Sequence, residues 1–397
     1  MADGFGTTIV FLDSGFSVDL EMARYVAAAF GDLGYELIEY SLNDPAVGER
    51  LNLLLKTRSH EILCFVSLNY YATVVSSGGK LLHDLTGIPL VFYLMDHPLY
   101  FTEEQAPQNA GAMVFVAGRD LVDFVTKYYP PRTLAVDNQG FLRPPFEQHP
   151  PSFDAFLARR NELLCPMNLA IWNQSPDEVW ATIKQLPDER RTFITRLIEA
   201  TLTDVFTPIH IIAESIPGAA AEPRALMTDM RVAMNFVKVW RRNHVVRALI
   251  ELPIMISSEY VPADLQFEYP EKFTLLSIQE TLPCYQSYRF VVNSFPLMSY
   301  SLHDRVINTL CANGVVITDE NNFVRERFTD EVDALFYRYS SGDMAAKITR
   351  YLDDPEAAFA LTVAAYDLRM RRNAFASDSF ANLIEAVKER RRSTLPA

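Results

Sequence analysis

Solid apolar runs constrain this chain more than any other feature. TTIVFL at 7–12, EILCFVS at 61–67, IPLVFYL at 88–94 and AMVFVA at 112–117 are apolar at successive positions rather than at alternate ones. A strand of that kind has to be covered on both faces, and the architecture that does so is a parallel sheet with helices on either side. ELIEY at 36–40 and TLAVD at 133–137 complete a first set of strands. A second set follows: NELLCPMNLA at 161–170, LPIMIS at 252–257, FTLLSI at 273–278, RFVVNS at 289–294, VVIT at 315–318 and ALFYR at 334–338.

The expected fold class is therefore α/β, with two Rossmann-like domains. Length agrees, because 397 residues exceed what one hydrophobic core usually serves. LRPPFEQHPPS at 142–152 carries four prolines and no periodicity, which marks a linker. Helical patterns run from 175 to 203 and from 227 to 251. Three more helices follow Asp343, with Pro355 in the favoured first-turn position of the middle one. The expected division is residues 1–150, residues 151–370, and a last helix within 371–397 that packs back on the N-terminal domain.

Charge and cysteine usage narrow the partners. A formal charge of −14 argues against nucleic acid, which is bound by clustered Lys and Arg. No run of about 18 apolar residues predicts a transmembrane segment, and MADGFGTTIVFLDS lacks the basic start and long apolar core of a signal peptide, so a cytoplasmic location is expected. Cys64, Cys165, Cys284 and Cys311 are widely spaced and lie mostly in apolar runs, as buried reduced thiols do. No histidine pair at i, i+4 and no Asp-x-Asp turn suggests a metal, and Asp353-Asp354 before Pro355 reads as a helix entry.

The chemistry concentrates between Phe290 and Phe328. A buried strand leads through a loop into a short helix, then a second strand and an acidic, amide-rich turn. Ser301-x-x-Asp304 predicts a helix with Ser301 as N-cap, His303 at its second position and Arg305 at its fourth; Asn313-Gly314 ends it in a left-handed cap. The free first-turn amides, the positive dipole end and Arg305 would then hold a diphosphate.

From His303 to Phe375 the chain resembles the C-terminal domain of the CgeB-like (spore maturation protein-type) glycosyltransferases and, more distantly, glycosyltransferase families 1 and 4. The residues that carry the resemblance are His303-x-Arg305, Gly314, Thr318-Asp319 and Leu352-Asp-Asp-Pro355-Glu356; GIPLVFYLMDHPLYF at 87–101 adds a weaker match. The resemblance implies a GT-B fold, two domains facing across a cleft, with the nucleotide sugar on the C-terminal one. It also implies that Asp96 or His97 borders the cleft as the base for an acceptor hydroxyl. Many such enzymes carry two Glu residues eight apart; here Tyr300 and Asn308 occupy those places, so Asn308 offers the donor ribose an amide without charge.

The donor set expected on these grounds is Ser301, His303, Arg305, Asn308, Glu320, Asn321 and Asn322, with Gly15 allowing close backbone approach in the first domain. Glu320 is the one carboxylate available to replace the missing ribose ligand. Arg241, Arg242 and Arg247 read chiefly as exposed solubilising charges, with phosphate contact as the alternative. The expected function is metal-independent, cofactor-free transfer of a sugar from a nucleoside diphosphate to a glycan, protein or small-molecule hydroxyl. A non-catalytic module of the same fold, binding a nucleotide sugar or a protein, and a nucleotide-sugar epimerase are the alternatives.

Overall fold

In the computed structural model the described residues are 6–14, 17–70, 72, 75–77, 80–101, 113–129, 134–137, 149–220, 222–372 and 377–394. They form two compact units: Met1–Pro145 together with Phe375–Ala397, and Phe146–Ala374. Most of the proline-rich segment 142–152 lies outside the described residues.

The first unit contains β1 Thr8–Asp13, β2 Glu36–Ser41, β3 Ile62–Leu68, a hairpin of β4 Ser76–Ser77 and β5 Lys80–Leu81, and β6 Leu90–Leu94, β7 Met113–Val116 and β8 Leu134–Asp137. Six of these form a parallel sheet in the order β2-β1-β3-β6-β7-β8. The four with the most solid apolar runs, β1, β3, β6 and β7, are buried along their whole length. The edge strand β2, whose polar Glu residues interrupt its sequence, is half-exposed.

Helix Ser377–Thr394 belongs to this unit although it comes last in the chain. Its Phe380, Leu383, Ile384 and Val387 enter the core beside Ile9, Phe30 and Phe115. The Phe380 ring meets Phe30 at 4.8 Å and Phe115 at 5.3 Å, both edge-on. Burial of side chains of this size contributes roughly 1.5–3 kcal/mol each, which holds the helix in place.

The second unit contains β9 Arg160–Pro166, β10 Ile254–Ser257, β11 Phe273–Thr274, β12 Tyr288–Val292, β13 Val315–Asp319 and β14 Leu335–Tyr337. They pair in parallel in the order β11-β10-β9-β12-β13-β14. Counted within the unit this is 3-2-1-4-5-6, the order of a doubly wound dinucleotide-binding sheet. The chain runs outward from β9 through β10 and β11, then returns to pair β12 on the other side of β9. Ligands bind such sheets outside the carboxyl ends of the two strands where the order reverses, here β9 and β12.

Two sequence expectations change. FTLLSI contributes only Phe273–Thr274 to the sheet, because Ser277 and Glu280 form a capping box that starts helix Ile278–Ser287. The helical stretch 175–203 is two helices, Pro176–Lys184 and Asp188–Thr203, interrupted at Pro187. The four cysteines are free thiols, and burial pushes Cys165 up to about 12.

Candidate functional site

Arg305 lies at the reversal point of the second sheet. Its Nε donates to the carbonyl of Pro166, the last residue of β9, at 2.6 Å, and its Nη1 to Oδ1 of Asn293, the first residue after β12, at 3.4 Å. The guanidinium therefore spans the two strand ends between which a ligand is expected. Neither Asp304 nor Glu320 is its partner: Asp304 contacts His303, and Glu320 pairs with Arg338 at 3.3 Å. Nη2 of Arg305 makes no hydrogen bond to the described residues.

The helix after β12 starts later than the sequence suggests. It runs Asp304–Cys311, and its N-cap is His303, not Ser301. Nδ1 of His303 accepts from the Arg305 amide at 3.3 Å, and the His303 carbonyl accepts from Val306 and Ile307. Those first-turn amides are thus taken within the helix, so they do not form the anion cradle expected of them. The reason is the loop before them. Asn321 donates through Nδ2 to the carbonyls of Met298 and Ser301, at 3.0 and 2.8 Å, and this holds Ser301 out of the helix.

Side chains supply the donors instead. Ser301 is buried and its hydroxyl has no hydrogen-bond partner among the described residues. Burial pushes the His303 imidazole below its ordinary value; the charges of Arg305 and Arg242 act in the same direction, against the pull of Asp304. Near neutral pH the ring is then uncharged, and its Nδ1 meets both the Arg305 amide and the Asp304 carboxylate. Nε2 has no partner among the described residues.

Arg242 is a second cation at the same place, and it corrects the expectation of exposed arginines. Helix Pro223–Leu249 is packed on nearly all sides, and Arg241 and Arg242 are both buried in it. Nη1 of Arg242 donates to the Asn168 carbonyl, two residues past β9, at 2.9 Å. Its charge acts on both Cys165 and His303. Arg241 donates to the Thr201 carbonyl at 2.8 Å and lies 5.2 Å from the centre of the Tyr339 ring. Only Arg247 behaves as expected, pairing with Asp264 across half-exposed surface.

Beneath Arg305 a hydrogen-bonded chain fixes its partner. Asn293 Nδ2 donates to Thr318 Oγ1 at 2.9 Å, and the Asn293 carbonyl accepts from Tyr337 at 2.6 Å. Asp319 accepts from the Phe295 amide at 2.9 Å and from Tyr339 at 2.8 Å. Burial raises the Asp319 carboxyl above its ordinary value, while Arg241 pulls it back. The ends of β12, β13 and β14 are thereby tied into one rigid floor.

The other expected residues divide. Asn308 is half-buried, and its amide makes no side-chain hydrogen bond among the described residues. Asn321 is fully occupied: besides the two loop carbonyls it caps helix Asn322–Arg327 through the Val324 amide at 2.8 Å. Asn322 donates to the Phe206 carbonyl at 2.6 Å. In the first unit, His97 is buried and caps a short turn by accepting from Leu99 at 3.1 Å, whereas Asp96 is half-buried and makes no hydrogen bond to the described residues. Gly15 lies outside the described residues.

Strain also marks the two loops at the reversal point. Leu297, after β12, has φ +56°, and Trp172, after β9, has φ +47°. Bulky residues in the left-handed region are costly, by roughly 1–2 kcal/mol, and such strain concentrates at ligand sites. Among the described residues no group of three His, Cys, Asp or Glu side chains is placed to hold a metal ion, and no helix is long and apolar enough to cross a membrane.

Residues 241–385 match a family model described as "Glycosyl transferase-like". Two solved structures of HepE from Anabaena are similar over almost the whole length of both chains. The one in complex with UDP-glucose is 14% identical, covers 96% of this chain and 99% of that one, and has a TM-score of 0.52. The one in complex with UDP and glucose is 12% identical, covers 96% and 100%, and has a TM-score of 0.51. The fold is that of the GT-B glycosyltransferases. No curated protein sequence matches the chain. The matched segment begins at Arg241, inside helix Pro223–Leu249, and includes Arg242, Arg305 and Asp319.

Sequence reasoning took Arg242 chiefly as exposed, with phosphate contact only as the alternative, and did not single out Asn293. A signal for the first was present: MRVAMNFVKVW and HVVRALIEL leave the helix few polar positions, so charges inside it had to be buried. Asn293 carried none, since a polar residue just after a buried strand is ordinary.

Proposed function

We propose that this chain is a glycosyltransferase that moves a hexose from a nucleoside diphosphate, UDP first among the candidates, to an acceptor hydroxyl without a metal ion. One observation carries the reading: a guanidinium anchored to both strand ends at the reversal point, with a second buried cation and a serine hydroxyl that has no partner among the described residues on adjoining segments. That donor set suits a diphosphate, and HepE, which shares the fold, was solved with UDP-glucose.

In the reaction the acceptor oxygen bonds to the anomeric carbon, and the bond from that carbon to the diphosphate oxygen breaks. The electron pair leaves with the nucleoside diphosphate, whose growing charge is met by Arg305 and Arg242. In the first unit Asp96, rather than the occupied His97, takes the acceptor proton. Asn308 holds the ribose through its amide, and Glu320 assists only by releasing Arg338. Within this class the resemblance of the residues from His303 to Phe375 supports a CgeB-like enzyme, one that acts in the cytoplasm on a glycan, protein or small molecule.

The test is a thermal-shift screen against UDP-, GDP- and TDP-sugars, followed by nucleotide release with and without EDTA. A donor-dependent rise in melting temperature and EDTA-insensitive release of nucleoside diphosphate support the proposal. A second reading follows from Asn308, where related enzymes use a carboxylate: a chain that binds donors without turning them over. Donor binding with no release of nucleoside diphosphate in any acceptor extract selects that reading.

A further inference from the structure

Helix Pro223–Leu249 is longer than its connecting task requires. It returns the chain from β9 to β10, and its last turns do so in the ordinary way: Val245, Val246 and Leu249 lie in the core of the sheet with Leu163 and Ile256. Arg242 and Asn243 mark the level of the sheet's carboxyl end, because they donate to the carbonyls of Asn168 and Leu169, just past β9, at 2.9 and 2.7 Å. The residues before them run outward beyond that end, roughly 27 Å from Arg242 to Arg224 at about 1.5 Å per residue.

The side of the helix that faces the sheet changes character at that level. Val245, Val246 and Leu249 stand three, four and seven residues after Arg242, so they share its side. Continued outward at the same spacing, that side carries Lys238, Asn235, Arg231, Thr228 and Arg224. The opposite side, two residues further on at each turn, is Leu226, Met230, Ala233 and Val237, all buried, and helix Asp188–Thr203 packs on this helix. A polar stripe with four cations therefore lies beyond the carboxyl end of β9, in a chain whose formal charge is −14.

Solvation alone does not account for the stripe. Arg224 is exposed, Arg231 and Lys238 are half-buried, and Asn235 and Arg242 are each 7% exposed, so it sinks as it nears the sheet. The Asn235 amide makes no hydrogen bond to the described residues, and its Oδ1 is buried. Arg224 and Arg231 make no ion pair among the described residues. A buried amide left unmatched is costly to the fold, which points to a ligand. A diphosphate held at Arg242 and Arg305 does not extend to Arg231, about 16 Å away along the helix, so the stripe fits a second, longer anion. Cations alternating with an amide suit a chain that carries both charges and hydroxyls. We propose that this stripe binds an acidic oligosaccharide, the acceptor chain, with its anionic groups on Arg224, Arg231 and Lys238 and a hydroxyl on Asn235. That this ligand is the acceptor rests on the glycosyltransferase reading; that it binds does not.

The test is isothermal titration of the whole chain, without donor, against tetrasaccharides of galacturonate, hyaluronate and heparin. Maltotetraose is the neutral control and a single-stranded oligonucleotide the other polyanion. At least one acidic tetrasaccharide should bind, less tightly as salt rises, and more tightly than either control. Arg224→Gln combined with Arg231→Gln should weaken that ligand about tenfold, while the rise in melting temperature given by UDP-glucose stays as in the parent. Asn235→Leu should weaken the same ligand yet melt no lower than the parent, because it removes an unmatched buried amide; an amide serving the fold alone would do the reverse. No acidic tetrasaccharide bound, unaltered affinity in the double arginine variant, or tighter binding of either control overturns the glycan site. An acidic tetrasaccharide bound by a chain that no UDP-sugar stabilises supports the site and overturns the transferase reading.

Discussion

Replacing Arg305 by Ala separates the ligand-binding role of this residue from its structural one. In the free protein the substitution leaves the Pro166 carbonyl and Asn293 Oδ1 without their donor. An unmet buried acceptor costs about 1–3 kcal/mol, but Asn293 keeps its bonds to Thr318 and Tyr337, so the lower half of that range applies, about 1–2 kcal/mol. In a unit of this size each kcal/mol lowers the melting temperature by about 2–4 °C, giving a fall of roughly 2–8 °C. The ligand effect is separate. At a UDP-sugar concentration of about 100 Kd the parent gains about 2.7 kcal/mol, and a hundredfold loss of affinity leaves RT ln 2, about 0.4 kcal/mol. Differential scanning fluorimetry with and without donor reads both numbers from one sample. A ligand-induced rise as large in the variant as in the parent refutes the assignment of the diphosphate to Arg305, whatever happens to the free protein.

Three further outcomes are expected. Because the folded His303 imidazole lies below its ordinary 6.5, the unfolded chain binds the proton more readily, so His303 contributes stability above about pH 6.5 that is lost as pH falls; melting temperatures from pH 8 to 5 should drop less in His303→Asn, which keeps a capping acceptor. Asp96→Asn should lower kcat by about 10²–10⁴ with donor affinity unchanged, measured by nucleotide release beside thermal shift, and full activity in that variant would move the base elsewhere. Asn321→Ala removes a helix cap and two carbonyl ties, and urea unfolding should show a loss of about 2–4 kcal/mol; a loss below 1 kcal/mol would mean the 298–301 loop is held by something else.

The fold was legible because burial on both faces leaves an unambiguous pattern. VVIT, RFVVNS and IPLVFYL became β13, β12 and β6 with shifts of one or two residues, since no other element buries every side chain over so short a run. FTLLSI failed for a local reason, a capping box at Ser277 that competes with strand pairing. The order β11-β10-β9-β12-β13-β14 could not be read, because strand order is decided by which edges meet after the helices pack, and apolar runs are interchangeable in that respect. Arg305 was therefore read as a candidate ligand residue without its place in the fold, which is the reversal between β9 and β12.

The cap at His303 shows why the site itself was harder. Ser301-x-x-Asp304 is a good helix start by local chemistry, and in isolation the serine would compete well for it. What decides against it comes from twenty residues away: the Asn321 amide takes the Ser301 carbonyl, and the helix starts two residues later. This displacement changes the physical basis of anion binding. A helix start with free amides offers a fixed partial charge that pH cannot alter. On the proposed reading, a start closed by an imidazole leaves binding to Arg305, Arg242 and Ser301, which is both stronger and conditional. Its cations carry full charges in a partly buried setting, and the cap has one titrating member. Donor affinity in this chain should therefore follow the number of guanidinium groups at the β9 and β12 ends rather than the helix dipole. Arg242→Gln combined with Arg305→Ala should abolish UDP binding where either change alone weakens it, and residual binding in the double variant would return the role to the helix.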